Sequence, residues 1–412
     1  MSIPPLHPPS FTSTTITPQS TSPFFATLPP ELRHAIYTYV LTPYPNPDPA
    51  RSYKKETYYH RPGHTAPHIT STSLLLTCKQ VYAETWFLPF ALAEHIIYLT
   101  AQDRAPARGP TTILGSSSNS RSGFATAGRR GVREEHPRPH QQGPGHPWRF
   151  GRDLAESLEL ISTVHGEIVE TGNLHVFAQL YILEPGAAFQ RVLDTPFLRP
   201  RSVTLTIRYT DFWHWEDTRP LWINGKWVKT VVFPESVRVF RVEFEMILRR
   251  EEEVQILVEQ AAEKWVFRRD DGKTLTARPD DADRMQWRGS STLNGKRWVR
   301  DEIRPGQLDY VVYSVPWRVD SFSCAALDSP SWSETEEGNE DDSPTIRVPE
   351  SFIQPPPPLP GWTSLSTTEL ERAGVGPDVR ASEAVDGVQA YRRQHAADSM
   401  RARMRRVMAR EA

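Results

Sequence analysis

Two short runs of alternating residues constrain this chain more than any other feature. Across 200–209, Val203, Leu205, Ile207 and Tyr209 alternate with Thr204, Thr206 and Arg208, and across 234–244, Phe240, Val242 and Phe244 fall on one side. A period of two marks a strand that lays one face on a core. Both runs open on Pro-x-Ser-Val, at Pro200 and Pro234. One echo does not make a solenoid, which needs about three repeats to close a core, so the runs read as two strands of one mixed sheet. Helices are expected around them. One runs from Asp153, placed three residues before Glu156 like a capping box, through Leu154, Leu158, Ile161, His165 and Ile168 to Gly172. A second, apolar helix is expected over 174–183. A third is expected over 251–267, with Val254, Leu257, Val258, Ala261 and Trp265 inward and a turn at Asp270-Asp271-Gly272. Asn224-Gly225 reads as a type I′ hairpin, with further strands at 296–299 and 308–315. The class is α+β.

Proline and glycine limit how much of the chain can pack. The 38 Pro and 22 Gly gather in 1–23, 101–147 and 326–362, stretches that bury too little apolar surface to offset chain entropy. Roughly 250 residues remain to build a core. The expected division is a disordered lead (1–23), an F-box-like helical region (24–100), a disordered linker (101–147), an α+β domain (148–320), an acidic and Pro-rich disordered segment (321–380) and a basic helical tail (381–412). A formal charge of −2 argues against bulk attraction to nucleic acid or acidic membranes. Two cysteines, Cys78 and Cys324, are too few for a disulfide framework or metal cluster and fit a reducing compartment, cytoplasmic or nuclear. No window reaches the roughly 18 apolar residues that span a bilayer, and the start lacks a secretory pattern.

The helical region rests on two segments. In 28–41, Pro29 and Pro30 suit a first helical turn, Glu31 meets the positive end of the dipole, and Leu32, Ala35, Ile36, Tyr39 and Val40 share one apolar stripe. In 71–89, Ser71-Thr72-Ser73 caps a helix carrying Leu75, Cys78, Tyr82 and Thr85 on one side until Pro89. Leu-Pro-x-Glu-Leu-Arg-x-x-Ile-Tyr followed by Leu-Leu-x-Thr-Cys-Lys-Gln-Val-Tyr-x-Glu resembles a group of fungal F-box-like proteins of unknown function and, more distantly, the F-box itself. The likeness covers residues 24–100 and continues in Phe-Ala-Gln-Leu-Tyr from Phe177, Thr-Ile-Arg-Tyr-Thr-Asp from Thr206 and Trp-Val-Phe from Trp265. Lys79 stands where Arg is commoner, 44–70 is an insertion between the helices, and Glu94-His95-Ile96 replaces the usual Asn-Thr-Phe. The resemblance implies docking, through Leu28, Pro29, Leu32 and Ile36, onto the adaptor subunit of a cullin-RING ubiquitin ligase. One stripe cannot meet an adaptor and also pack on Leu75, Cys78 and Tyr82. The mass of chain downstream that needs a lid favours inward packing, with binding delegated to the aromatic domain.

No pattern points to catalysis. Gly-x-Ser-x-Gly, a phosphate loop, Gly-x-Gly-x-x-Gly and His-Glu-x-x-His are all missing, and no cofactor is expected. No metal is expected either, since His136 and His140 have a ligand spacing without Cys beside them and fall in the linker. The densest cluster is aromatic: Trp213, Trp215, Trp222 and Trp227 crowd one window beside Asp211, Glu216 and Asp217. Such rings form partner hot spots or, with acids, hold a sugar or a cationic peptide, and they equally fill a core. At the other end, 391–412 carries seven Arg against two acids. Met400, Met404 and Val407 lie there at helical spacing, and Arg401, Arg403, Arg405 and Arg406 could meet an acidic partner, RNA or the acidic block 334–342. The leading expectation is a non-enzymatic protein-interaction module, an F-box-like substrate adaptor. Its rivals are a carbohydrate or small-molecule enzyme built on the 213–227 window and a nucleic-acid-associated factor using the Arg-rich tail.

Overall fold

The computed structural model describes residues 8–10, 16, 17, 19–101, 104, 152–217, 219–319 and 343–411. Of the expected linker 101–147 only residues 101 and 104 are described, and the acidic block 334–342 and Cys324 lie outside the described residues. The chain is α+β, as its patterns imply. Helix α1 (Pro30–Leu41) has proline in its first turn and stops at Thr42, before Pro43, where a residue preceding proline leaves the α region. Helix α2 (Lys79–Thr85) is separated by two residues, Thr77 and Cys78, from a 3₁₀ turn (Ser73–Leu76). Cys78 is not on its apolar stripe. It is the N-cap, and its sulfur accepts from the Val81 amide at 3.5 Å. Pro89 does not stop this helix but opens a further short turn (Leu88–Ala91), the position where its missing donor costs nothing.

A curled mixed sheet holds the molecule together. Its strands are β1 (His95–Leu99), β2 (Thr171–Ala178), β3 (Pro200–Ile207), β4 (Val232–Phe233), β5 (Val239–Ile247), β6 (Phe267–Arg269), β7 (Thr274–Thr276), β8 (Asp283–Ser290) and β9 (Gln307–Val319). They lie in the order β1-β2-β3-β5-β9-β7-β6-β4, with β8 also pairing with β9. The first four run parallel, β9 runs antiparallel to β5, and β3 and β5, the two alternating runs, are direct neighbours. Helices α3 (Arg152–His165) and α4 (Glu251–Lys264) complete the body, with Val254, Leu257, Val258 and Ala261 of α4 buried. One apolar cluster runs from Tyr37 and Leu41 of α1 through β1–β3 and β5 to Trp317 of β9. The regions 24–100 and 148–320 therefore share a core, and the helical pair packs onto the sheet.

Three local readings need correction. Segment 174–183 is not a helix: it is strand β2 followed by one turn, Leu180–Leu183. Leu174-His-Val-Phe-Ala does not alternate between buried and exposed residues because β2 is buried on both faces, and a nearly continuous apolar run has no period to separate strand from helix. Asn224-Gly225 is not a hairpin turn. Gly225 has φ −85° and caps a short helix (Lys226–Thr230), with Asn224 Oδ1 accepting from the Lys226 amide at 3.0 Å. Finally, α3 ends at His165, which is exposed rather than on the buried face, and Gly166 follows at φ +79°.

Residues 343–380, expected as part of a disordered segment, form ordered contacts with the body. Ile346–Arg347 pairs with Trp222–Ile223, and Leu365–Ser366 with Lys296–Arg297. Pro344 passes so close to Gly225 that a Cβ there would lie 2.2 Å from its carbonyl, and the Trp265 indole donates to that carbonyl at 2.7 Å. The last helix, α5 (Ala381–Glu411), docks by Ala384, Val385 and Val388 against Val299, Leu365 and Leu370, and its residues from 392 to 401 are exposed. No described helix is long and apolar enough to cross a membrane.

Candidate functional site

Helix α1 is held to α2 by a polar clasp. The Tyr37 hydroxyl donates to Glu84 at 2.8 Å, Arg33 donates to the same carboxylate at 3.3 and 3.4 Å and to the Leu28 carbonyl at 2.9 Å, and the Arg33 guanidinium lies over the Phe25 ring. Burial and the hydrogen bond to Glu84 raise the Tyr37 hydroxyl well above its usual value, so it stays protonated and donating. With Leu41 one turn further on, these residues form the inward face. That overturns the expected inward packing of the apolar stripe: Leu32 is 53 % exposed, Ile36 39 % and Tyr39 86 %. Leu28 is half-buried and Pro29 exposed beside them, and Leu76 adds another exposed side chain on the preceding turn of α2.

The aromatic window divides in two. Trp227 is fully buried among Phe189, Phe240, Trp265 and Phe267, and Trp215 packs on Trp298 and Tyr209 with ring centroids 4.3 and 5.2 Å away. Neither can touch a partner, so both are core residues rather than binding residues. His214, at φ +54°, reverses the chain between Trp215 and Trp213. Trp213 and Trp222 stack at the surface 6.2 Å apart, and the Trp213 indole donates to Glu184 at 2.8 Å. Of the tail residues, Arg401 is exposed and faces Asp398 at 3.8 Å. Arg403, Arg405 and Arg406 lie on α5, but their side chains are outside the described residues.

The most polar site lies between segment 44–70 and the sheet. Segment 44–70, read as an insertion, covers the second face of the sheet. On that face β2, β3 and β5 present His175, Thr206, Glu243 and Glu245, while Val176, Leu205, Val242 and Phe244 of the same strands face the core. The segment closes on itself through a Tyr44–Ile69 and Pro45–His68 pairing, and Arg61-Pro62-Gly63-His64 turns with Gly63 at φ +81° and the His64 amide donating to the Arg61 carbonyl. Proline then glycine at the centre is the type II pattern. This turn drives Arg61 into the sheet, where Nη1 donates to Glu243 at 2.6 Å and to the Thr206 hydroxyl at 3.0 Å. Beside it Arg208 donates to Glu245 at 2.6 Å, and Tyr58 and Arg104 both reach Asp211, at 2.5 and 2.8 Å.

At the open end of this face stand His64, His68, Glu94 and His175. The His175 Nδ1 lies 3.1 Å from a Glu94 oxygen that also accepts from Asn173 at 2.7 Å, and His64 and His68 approach the other oxygen at 4.0 and 3.9 Å. Burial, with the neighbouring His175 and Arg61, lowers the His64 imidazole to about 3. Burial alone would raise the Glu94 carboxyl, but hydrogen bonding and charge from His175, with His64 and Asn173, outweigh it and hold it at about 2. The signal for this site was His60, His64 and His68 at four-residue spacing, inside the segment read as an insertion. Comparison with known protein families, with curated proteins and with solved structures returns no match.

Proposed function

We propose that this protein is a non-enzymatic interaction module whose α1 stripe docks a protein partner, and that the partner is the adaptor subunit of a cullin-RING ubiquitin ligase. One observation carries the reading: α1 is anchored from its polar side by Arg33, Tyr37 and Leu41, leaving Leu32, Ile36 and Tyr39 as a row of large apolar side chains in water. Apolar side chains grouped on one helix face mark protein contacts far more often than isolated ones do, and a helix face laid into a groove reads as anchors at i, i+4 and i+7. The resemblance of 28–41 and 74–84 to the F-box names the partner. Docking at α1 leaves the surface stack of Trp213 and Trp222 available to recruit a substrate. The compartment that suits this role is the cytoplasm or nucleus.

The experiment is affinity purification of the full chain, and of the chain carrying Leu32→Ala and Ile36→Ala, from cells with quantitative mass spectrometry. The adaptor and its cullin should be enriched with the first and depleted with the second. Their absence from both preparations rules the proposal out.

A further inference from the structure

Four side chains from three separate parts of the chain meet at the mouth of the polar face. His64 and His68 come from segment 44–70, Glu94 from the turn before β1, and His175 from β2. The candidate ligand atoms of His64, Glu94 and His175 all lie within 4.8 Å of one another. In a tetrahedral zinc site with bonds of about 2.0–2.1 Å, ligand atoms sit about 3.3 Å apart. The observed 3.1 Å from His175 to one Glu94 oxygen and 4.0 Å from His64 to the other fall on either side of that spacing, within reach of a small side-chain adjustment.

Hydrogen bonding fixes which atom of His175 faces the cluster. The Thr206 hydroxyl donates to Glu243 at 2.8 Å and accepts from Arg61, so the His175 Nε2, 2.8 Å away, must be the donor to that oxygen. In the neutral ring Nδ1 then presents a lone pair to the Glu94 carboxylate at 3.1 Å. Two acceptors at that distance repel unless a cation joins them, either a second ring proton, as when His175 donates to Glu94, or a metal ion. His64 adds another ring nitrogen at 4.0 Å from the same carboxylate, too far for a hydrogen bond. The chain from His175 through Thr206 to Glu243 is also the outer support that metal-binding histidines use to fix their tautomer and orientation.

We propose that His64, Glu94 and His175 bind a divalent transition-metal ion of the zinc class, with His68 completing the coordination. Imidazole nitrogens with one carboxylate select such an ion over magnesium or calcium, which take oxygen ligands. The ion would tie segment 44–70 to β2 and make closure of that cover metal-dependent. It has a way in, because the Glu94 and His68 side chains are partly open to solvent. This site is independent of α1 and of what α1 docks.

The test is zinc titration of the chelator-treated full-length protein by calorimetry, with cobalt(II) absorption as a report of coordination. One equivalent should bind, cobalt should give the visible bands of a four-coordinate site with nitrogen ligands, and zinc should slow amide exchange across 44–70. His64→Asn and Glu94→Gln, which keep side-chain size, should each weaken binding at least about tenfold while the circular dichroism spectrum is unchanged. His60→Ala in the same segment should leave binding intact. Absence of saturable binding, or binding that survives both substitutions, overturns the site.

Discussion

Adjacent residues of α1 make opposite predictions. Tyr37 is buried and bonded to Glu84, whereas Ile36 and, one turn earlier, Leu32 face water. Replacing a buried aromatic by alanine costs about 3–5 kcal/mol, and Tyr37→Ala also leaves the Glu84 carboxylate without one of its donors. Exposed positions shift stability within about 0.5 kcal/mol, so Leu32→Ala and Ile36→Ala should each stay below about 1 kcal/mol, helped by the higher helix propensity of alanine. Equilibrium urea unfolding followed by tryptophan fluorescence measures this directly. The Tyr37→Ala midpoint should fall well below that of the parent with little change in slope, and the other two should nearly superimpose on it. If Leu32→Ala or Ile36→Ala destabilises as much as Tyr37→Ala, the stripe packs inward and the orientation of α1 described above is wrong.

Arg61→Ala should cost about 3–5 kcal/mol, because it leaves the buried Glu243 carboxylate without its charge partner while Glu245 keeps Arg208, and urea unfolding reads the loss. Glu243 titrates near 2 in the fold instead of 4.5: burial would raise it, but the charge and hydrogen bonds of Arg61, with His175 and Thr206, outweigh that. Its stabilisation is complete above pH 4.5 and is lost as pH falls through 2. At about 1.4 kcal/mol per pKa unit, up to about 3 kcal/mol should vanish on acidification of the parent, and this limb should flatten in Glu243→Gln. Gly225→Ala drives a Cβ into the Pro344 carbonyl, so protease cleavage near residues 343–348 should accelerate while the remaining body keeps its far-ultraviolet spectrum. Trp227→Ala should cost about 3–5 kcal/mol and Trp222→Ala less than about 1.5, since only the first ring is fully buried; equal costs in urea unfolding would contradict the division of the aromatic window.

The strands β3 and β5 were legible because each shows a period of two, and α4 because its inward residues recur at helical spacing. Strand β2 was hidden by burial on both faces. The direction of α1 was misread for a different reason. Apolar periodicity ranks Leu32, Ile36 and Tyr39 as the inward face, but it gives no weight to a carboxylate on another helix. Glu84 captures Arg33 and Tyr37, and the side of α1 that carries them turns in. Arg33, Tyr37 and Glu84 are all part of the motif that prompted the resemblance, so part of that motif is an internal clasp. The polar face stayed invisible because its members, from Tyr58 and Arg61 to Glu243 and Glu245, are scattered along the chain and meet only when segment 44–70 folds over the sheet. Only the spacing of His60, His64 and His68 was local enough to read.

The most direct measurement is calorimetric titration of the purified cullin adaptor subunit into the full-length protein and into the Leu32→Ala, Ile36→Ala double substitution. Saturable binding to the parent, weakened at least about tenfold or about 1.4 kcal/mol in the double substitution while its urea midpoint is nearly unchanged, is the expected result. No binding to the parent, or equal binding to both, would show that the exposed face of α1 is not where this adaptor docks.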